Sequence, residues 1–469
     1  MSVSRRDALR GLASAGMVAG AASCAQNPIP EPAGVPSALA PDLPPLAQTP
    51  LLNKARAVAE MEAAGVDLLF CSDPVNVLYL TNYQIVSNLL GMDGLAYASF
   101  SPSGDFRPAL LTGKFSYYLA SGDYRMVPTH VNLKLFTTPA EPDLYATLAD
   151  PTALAAAPAS AGYITPTFDR APARDYESSR RESIAAATAE VAASAEALML
   201  RELLATPLPN KTVAVDDPRL IPWLQKSGLD LNFIDGERLL RRIRLQKTPA
   251  ELAYARYAAA ANAAAGLEAA QTVRAGATFR ELQQEFARQA GTRMTRPVYI
   301  LIDGVITPLA EHDFRPGRTF MIDCVSTFEG YHGDYGRTVC VGEPDRAMQQ
   351  VVDALSYVWD RVLPELKAGV QYSDIWALGQ KLFAQTKVDA GLVMGPHAVG
   401  LHHTDEPGAT DFAPFSKENL TLQENMVLSV DMPVLGSGLG GTAHLEDLVL
   451  IGKDGPELLN PTSDRFIVV

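Results

Sequence analysis

The sequence is short of cysteine, histidine and basic residues, and each shortage excludes something. Only four cysteines occur in 469 residues, at positions 24, 71, 324 and 340, and none forms a CxxC pair. That pattern argues against a disulfide-stapled scaffold and against thiolate-held zinc. Lys plus Arg number 39 against 53 Asp plus Glu, a formal net charge of −14. So acidic a chain is poorly suited to holding phosphate backbones, which argues against general nucleic-acid binding. Past the N-terminus there is no run of about 18 strongly apolar residues, the length a membrane-spanning helix needs. What is present is a 47% hydrophobic content with 20% charged residues, enough apolar material for a sizeable core and length for two or three domains. Histidine totals seven, and all but His130 fall after residue 310, so the chemistry is expected in the last third.

Residues 1–24 read as an export signal. Ser4-Arg5-Arg6-Asp7-Ala8-Leu9 resembles the twin-arginine motif, and a small, mildly apolar run without an acid follows over 11–23. Cys24 follows Ala21-Ala22-Ser23 as in a lipoprotein box that lacks the usual Leu. Cys24 is therefore a candidate lipidation site that would anchor the protein to a membrane, with cleavage after Ala21 as the alternative. Periplasmic or membrane-anchored placement follows. Residues 25–50 are rich in Pro and Ala and read as an extended tether.

The body divides in two. Over 51–238, apolar runs such as Val66-Asp67-Leu68-Leu69-Phe70-Cys71 and Thr212-Val213-Ala214-Val215 alternate with helical spacing at 52–65 and about 176–205. Strands are expected near 95–100 and 108–112, and a loop-rich insertion over 138–173. That alternation predicts an α/β domain. Over 239–469, Thr248-Pro249-Ala250-Glu251 is a helix-start pattern. It opens an Ala-rich helix expected to end near 273. An amphipathic helix over 279–291 follows, then β-rich sequence with helices near 346–365 and 373–388.

Within that β-rich part, Asp323 sits in the apolar run Met321-Ile322-Asp323-Cys324-Val325. Asp334 follows eleven residues later, in Gly333-Asp334-Tyr335-Gly336-Arg337-Thr338. A strand-turn-strand hairpin puts two such carboxylates side by side, where they repel unless a cation lies between them. His397, Asp431 (at the end of the strand expected over 426–430) and Glu446 each lie in or beside an apolar segment. Four carboxylates and an imidazole make an oxygen-rich site suited to two divalent ions such as manganese, cobalt, iron or zinc. Two such ions can generate a hydroxide at neutral pH and polarise a carbonyl.

The order Asp, Asp, His, acid, Glu resembles the pita-bread metallopeptidase family, in its creatinase, prolidase and aminopeptidase P branch. Asp73-Pro74-x-Asn76-x-x-Tyr79-Leu80-Thr81-Asn82-Tyr83 resembles that branch's N-terminal domain, and Arg244-Leu245-Gln246-Lys247-Thr248-Pro249-Ala250-Glu251 the start of its catalytic domain. The resemblance implies an α/β creatinase-like domain over 51–238 and an α+β pita-bread catalytic domain over 239–469. It implies Asp323, Asp334, His397, Asp431 and Glu446 as ligands of two metal ions, manganese first. It also implies a small peptide substrate with proline after the scissile bond, and a homodimer.

Two departures stand out. The family usually carries Glu at Asp431, and a second His where this chain has Thr404, in His402-His403-Thr404-Asp405-Glu406-Pro407. If that segment is extended, alternation puts His403 on the side of His397 and His402 on the other, so His403 is favoured over His402 for proton transfer. His312 stands where relatives have a substrate-contacting His. His444 shares a strand face with Glu446 and, with Arg337, is expected to support the ligands. His332 is expected in a turn. Alternation also puts Cys324 and Cys340 on opposite faces, as free buried thiols. The functional expectation is an exported dinuclear Xaa-Pro peptidase using a metal-bridging hydroxide. The alternatives are a non-peptidase enzyme on the same fold, such as a C–N hydrolase or lyase, and a non-catalytic binding protein.

Overall fold

The computed structural model describes residues 43, 45–84, 94–103, 106–121, 127–137, 150–156, 191–307, 309, 314–409, 418–460 and 462–469. The export signal with Arg5, Arg6 and Cys24, most of the tether, and His312 lie outside the described residues. None of the described helices is long and apolar enough to cross a membrane.

The N-terminal region is built on a mixed sheet of β1 (Leu68–Cys71), β2 (Ala96–Phe100), β3 (Ala109–Gly113), β4 (Asn132–Phe136), β5 (Val191–Ala192), β6 (Thr212–Val215) and β7 (Asn232–Asp235). The order is β5-β4-β3-β2-β1-β6-β7, with β1 parallel to β6 and antiparallel to β2. Every residue of β1 is buried. Leu69 and Cys71 join one core cluster, whereas Leu68 and Phe70 join another, as period-two alternation in a sheet covered on both faces requires.

At the end of β1 the chain turns into the helix Pro74–Thr81. Asp73 caps it by accepting from the Val75 N–H at 2.8 Å, and Pro74 takes the first turn, where its missing N–H costs nothing. Asp216, just past β6, accepts from the Ser72 N–H at 2.8 Å, the Asp73 N–H at 2.9 Å and Asn76 Nδ2 at 3.0 Å. The Asp73-Pro74-x-Asn76 motif is thus a joint between two parallel strands. The helix expected over 176–205 is shorter where it is described. It runs Ala195–Ala205, because the Ser194 side chain accepts from the Ala197 N–H and caps it, and β5 precedes that cap.

The C-terminal region carries β8 (Arg296–Ile302), β9 (Thr319–Phe328), β10 (Tyr331–Cys340), β11 (Gly395–Ala398), β12 (Val427–Val434), β13 (Ala443–Glu446), β14 (Leu448–Gly452), β15 (Gly455–Leu458) and β16 (Phe466–Val468). Their order is β15-β14-β12-β13-β10-β9-β8, with β11 added on β12 and β16 on β10. The Ala-rich helix Pro249–Gln271 opens with a capping box in which Thr248 and Glu251 satisfy each other's backbone N–H groups. Its small side chains let it lie close on β9 and β10, and Asn262 Nδ2 donates to the Cys324 carbonyl at 2.8 Å, beside Asp323. The helices Arg346–Val362 and Tyr372–Gln385 share a core cluster with Val430, Met432 and Leu445, around the fully buried Trp359.

Three local expectations are corrected. Asp431 lies inside β12 rather than at its end: Met432, Pro433 and Val434 continue the ladder against Leu445, His444 and Ala443. Pro433 reads as a terminator in sequence, yet its carbonyl still accepts from the Val393 N–H at 3.1 Å. His332 belongs to β10, paired with Thr327, instead of a turn. Residues 401–404 form a succession of bends and not an extended segment. The thiols are as expected. In the β9–β10 register Cys324 faces Tyr335 and Cys340 faces Thr319, and both cysteines are free and buried. Asp334 and Cys340, six residues apart on one strand, share a face, whereas Cys324 lies on the other.

Candidate metal centre

Five strands each bring one predicted side chain to a common point: Asp323 from β9, Asp334 from β10, His397 from β11, Asp431 from β12 and Glu446 from β13. Ligand-capable atoms of Asp323, Asp334 and Glu446 lie within 4.8 Å of one another, and so do those of His397, Asp431 and Glu446. A further group within the same limit joins Asp334, His397 and His403. Gly336 pairs with Asp323 on one side and with Glu446 on the other. A Cβ there would lie 2.3 Å from the His444 ring and 2.8 Å from Glu446 Oε2, so only glycine leaves room for the cluster.

The cluster's own chemistry fits divalent cations. Asp323 Oδ1, Asp334 Oδ1, Glu446 Oε2 and His397 Nδ1 are buried with no hydrogen-bond partner. Leaving buried carboxylate oxygens unpaired is expensive, and hard oxygen donors with an imidazole suit paired divalent ions. Burial, then the neighbouring Asp334, pushes Asp323 up to about 7. Burial, followed by Asp334 and Asp431, also raises Glu446 well above the usual carboxylate range. For Asp334 burial acts upward, but His403 and His397 outweigh it and hold the carboxyl below its ordinary value. Metal binding must displace the protons on Asp323 and Glu446. Affinity for manganese is therefore expected to fall as pH drops through 7, with protons released on loading. Calorimetric titration at pH 6 and pH 8 in buffers of different ionisation enthalpy checks this; equal affinity and no proton release would contradict it.

The histidines divide by position. His403 Nε2 lies 3.1 Å from Asp334 Oδ2, and its ring centroid is 4.9 Å from that of His397. Burial disfavours its charged form, but Asp334 outweighs burial and pushes His403 up to about 9. His402 turns away, with Nδ1 3.3 Å from Arg244 Nη2 and 3.7 Å from Asp405 Oδ1. His402 also lines a cavity of about 770 Å³ with Asn76, Asp216 and Arg241, and none of the five cluster residues borders it. His403 thus stands beside His397 and His402 apart from it, a placement produced by a bent turn rather than by strand alternation. His444, fully buried, places Nε2 3.0 Å from Asp431 Oδ1 and 3.6 Å from Glu446 Oε2. It braces the short Asp431 carboxylate from behind. Replacing Asp431 with Glu is expected to leave metal binding intact, since the oxygen donors remain. Complete loss of metal by elemental analysis would show a site shaped around the shorter side chain and His444.

Arg337 hydrogen-bonds to none of the cluster's four carboxylates. Its guanidinium donates to Asp447 Oδ1 and to the Glu446 carbonyl, both at 2.6 Å, and to the Gly336 carbonyl at 2.7 Å. It therefore fixes the backbone of β13 next to a ligand. Sequence reasoning missed Tyr299 and Ser429. Tyr299 OH lies 3.2 Å from His403 Nε2, and Ser429 Oγ donates to Glu446 Oε1 at 2.6 Å. Ser429 stands two residues before Asp431 on one strand, a period-two signal that was readable. Tyr299 faces the cluster because β8 pairs with β9, Tyr299 opposite Val325 and Leu301 opposite Asp323.

Residues 253–453 match the family described as metallopeptidase family M24. That match falls within the C-terminal region. The chain is 26% identical over 162 residues to a "Probable dipeptidase PepE" of Mycobacterium tuberculosis (strain ATCC 25618 / H37Rv), covering 34% of this chain and 42% of that protein. It is 22% identical over 153 residues to an "Xaa-Pro dipeptidase" of Pyrococcus horikoshii, covering 32% of this chain and 42% of that protein. The matched stretch thus spans about two fifths of these curated relatives. The fold is like that of the prolidase from Pyrococcus horikoshii OT3, with a TM-score of 0.61 at 14% identity over 88% of this chain and 99% of that one. The architecture is that of the pita-bread fold.

Proposed function

We propose that the protein is a metal-dependent peptidase acting on dipeptides or peptide N-termini with proline after the scissile bond. The observation that carries this reading is the convergence of five side chains from five strands on one point, with buried oxygens left unpartnered. The names of the similar proteins, a probable dipeptidase and an Xaa-Pro dipeptidase, support the substrate class. Asp323, Asp334, His397, Asp431 and Glu446 would hold two divalent ions, with manganese favoured. Ions held there supply Lewis acidity toward a carbonyl and lower the pKa of a water.

The chain's own groups then manage substrate and protons. Once ionised in the loaded site, the Glu446 carboxylate would accept a proton from the attacking water as the water's oxygen bonds to the scissile carbonyl carbon. That proton passes to the departing amine nitrogen as the C–N bond breaks. His403, steadied by Tyr299, donates a hydrogen bond to the developing oxyanion. Leu301, half-buried beside Asp323, offers an apolar wall to a substrate ring.

Hydrolysis of an Xaa-Pro panel by protein loaded with manganese, cobalt or zinc tests the proposal. Turnover restricted to proline-containing peptides supports it, and no turnover of any peptide refutes it. The proposal extends to a homodimer and to export. Arg5 and Arg6 replaced together by Lys should leave the precursor in the cell, and Cys24→Ser should release the protein from membranes if Cys24 is lipidated. Normal export of the first variant, or unchanged fractionation of the second, would remove that part.

A further inference from the structure

The turn over 400–405 carries His403 but is not held by a strand ladder. Its anchor is a set of buried charges on and just after the helix Glu237–Leu245. Arg244 and Asp405 are both fully buried. Arg244 donates to Asp405 Oδ1 through Nη2 at 2.8 Å and through Nε at 3.1 Å. Lys247 Nζ lies 3.7 Å from Asp405 Oδ2 and donates to the Arg244 carbonyl at 2.6 Å. Arg241 donates to the Thr404 carbonyl at 2.7 Å, and its guanidinium reaches within 3.7 Å of Asp405 Oδ1. The Asp405 N–H in turn donates to the Ala398 carbonyl at 2.7 Å, next to His397.

Three cations around one carboxylate, out of water, are not a source of net stability. Desolvation offsets most of their attraction, and apolar residues of similar size would often do as well. What such a cluster supplies is a fixed geometry. Gly400 is its counterpart. A Cβ there would lie 2.5 Å from Asp405 Oδ2 and 2.7 Å from Lys247 Nζ, so the turn has no side chain where the ions approach it. The guanidinium of Arg244 also bonds Asn76 Oδ1 of the N-terminal region and touches His402 Nδ1, so two regions meet at this one side chain.

We propose that Arg244 is a positioning residue that, by clamping Asp405, sets the turn so that His403 stands against Asp334. The turnover arm of its test rests on the peptidase reading above, whereas the spectroscopic arm does not. Arg244→Lys keeps a cation but loses the two-pronged grip on Asp405. It is expected to lower kcat by up to about a hundredfold, the order of effect produced by misplacing a reacting group by about 1 Å. KM and metal content should stay near those of the parent. In a His403→Gln background the same substitution should cost nothing further, since both act through one group. With histidine labelled at Cε1, the His403 NMR signal, assigned by its absence in His403→Gln, should shift in Arg244→Lys whether or not any peptide is cleaved.

Arg244→Met combined with Asp405→Leu, which removes both charges together, guards against simple unfolding and should move the same signal. The proposal is overturned if both variants leave the His403 signal and kcat as in the parent. It is equally overturned if Arg244→Lys costs as much in the His403→Gln background as alone. Absence of turnover in the parent would instead refute the peptidase reading, leaving the signal to decide this one.

Discussion

Asp334→Ala protein is expected to be folded, to hold metal poorly and to be inactive. Asp334 is fully buried, and its ligand atom belongs both to the group with Asp323 and Glu446 and to the group with His397 and His403. Removing it takes a donor shared by both sides of the cluster. Altering even a supporting residue of a metal site commonly costs 10–100-fold, so loss of this donor should lower activity by more than about a hundredfold. Metal bound per chain should fall with it. Stability without metal should fall modestly, because His403 loses the carboxylate that holds its charged form. Elemental analysis with thermal unfolding of the metal-free protein reads both effects; unchanged metal content would remove Asp334 from the centre.

The second large effect is one of stability. Arg337 is fully buried and makes an ion pair with Asp447 and hydrogen bonds to the carbonyls of Gly336, Glu446 and Asp464. Arg337→Met leaves Asp447 buried without its cation, a change that costs about 3–5 kcal/mol. A fall in the unfolding midpoint on the order of 10 °C follows. Because the freed carbonyls belong to the residues on either side of the β10–β13 ladder, metal affinity should weaken as well. Replacing both partners, Arg337→Met with Asp447→Leu, should recover part of the stability, since no lone charge remains. A single variant as stable as the parent would show that water reaches Asp447.

The candidate centre was legible in sequence because its members break a local rule. An acid within an apolar strand, as at Asp323 and Glu446, needs a partner wherever the strand is buried. Alternation likewise placed Cys324 and Cys340 on opposite faces, and the capping box at Thr248 and Glu251 announced its helix. What was not legible depended on contacts distant in sequence. Nothing in the run around Tyr299 says that β8 pairs with β9 and faces the cluster. Arg244 and Asp405 are 161 residues apart, and no periodicity links them. Asp431 was read as ending its strand, yet the chain continues through Pro433 because the neighbouring strand already fixes it there. The helix before Ala205 was drawn too long because Ala-rich sequence favours helix through 191–194, where the pairing of β5 with β4 and the Ser194 cap stand instead.

These five side chains are proposed to form a centre for two divalent ions. Diffraction from crystals grown with manganese, recorded at its absorption edge, tests it most directly. Two anomalous peaks separated by roughly 3.5–4 Å, within bonding distance of Asp323, Asp334, His397, Asp431 and Glu446, are the predicted result. A manganese-saturated crystal with no peak among these residues, or with its ions bound elsewhere, would contradict it.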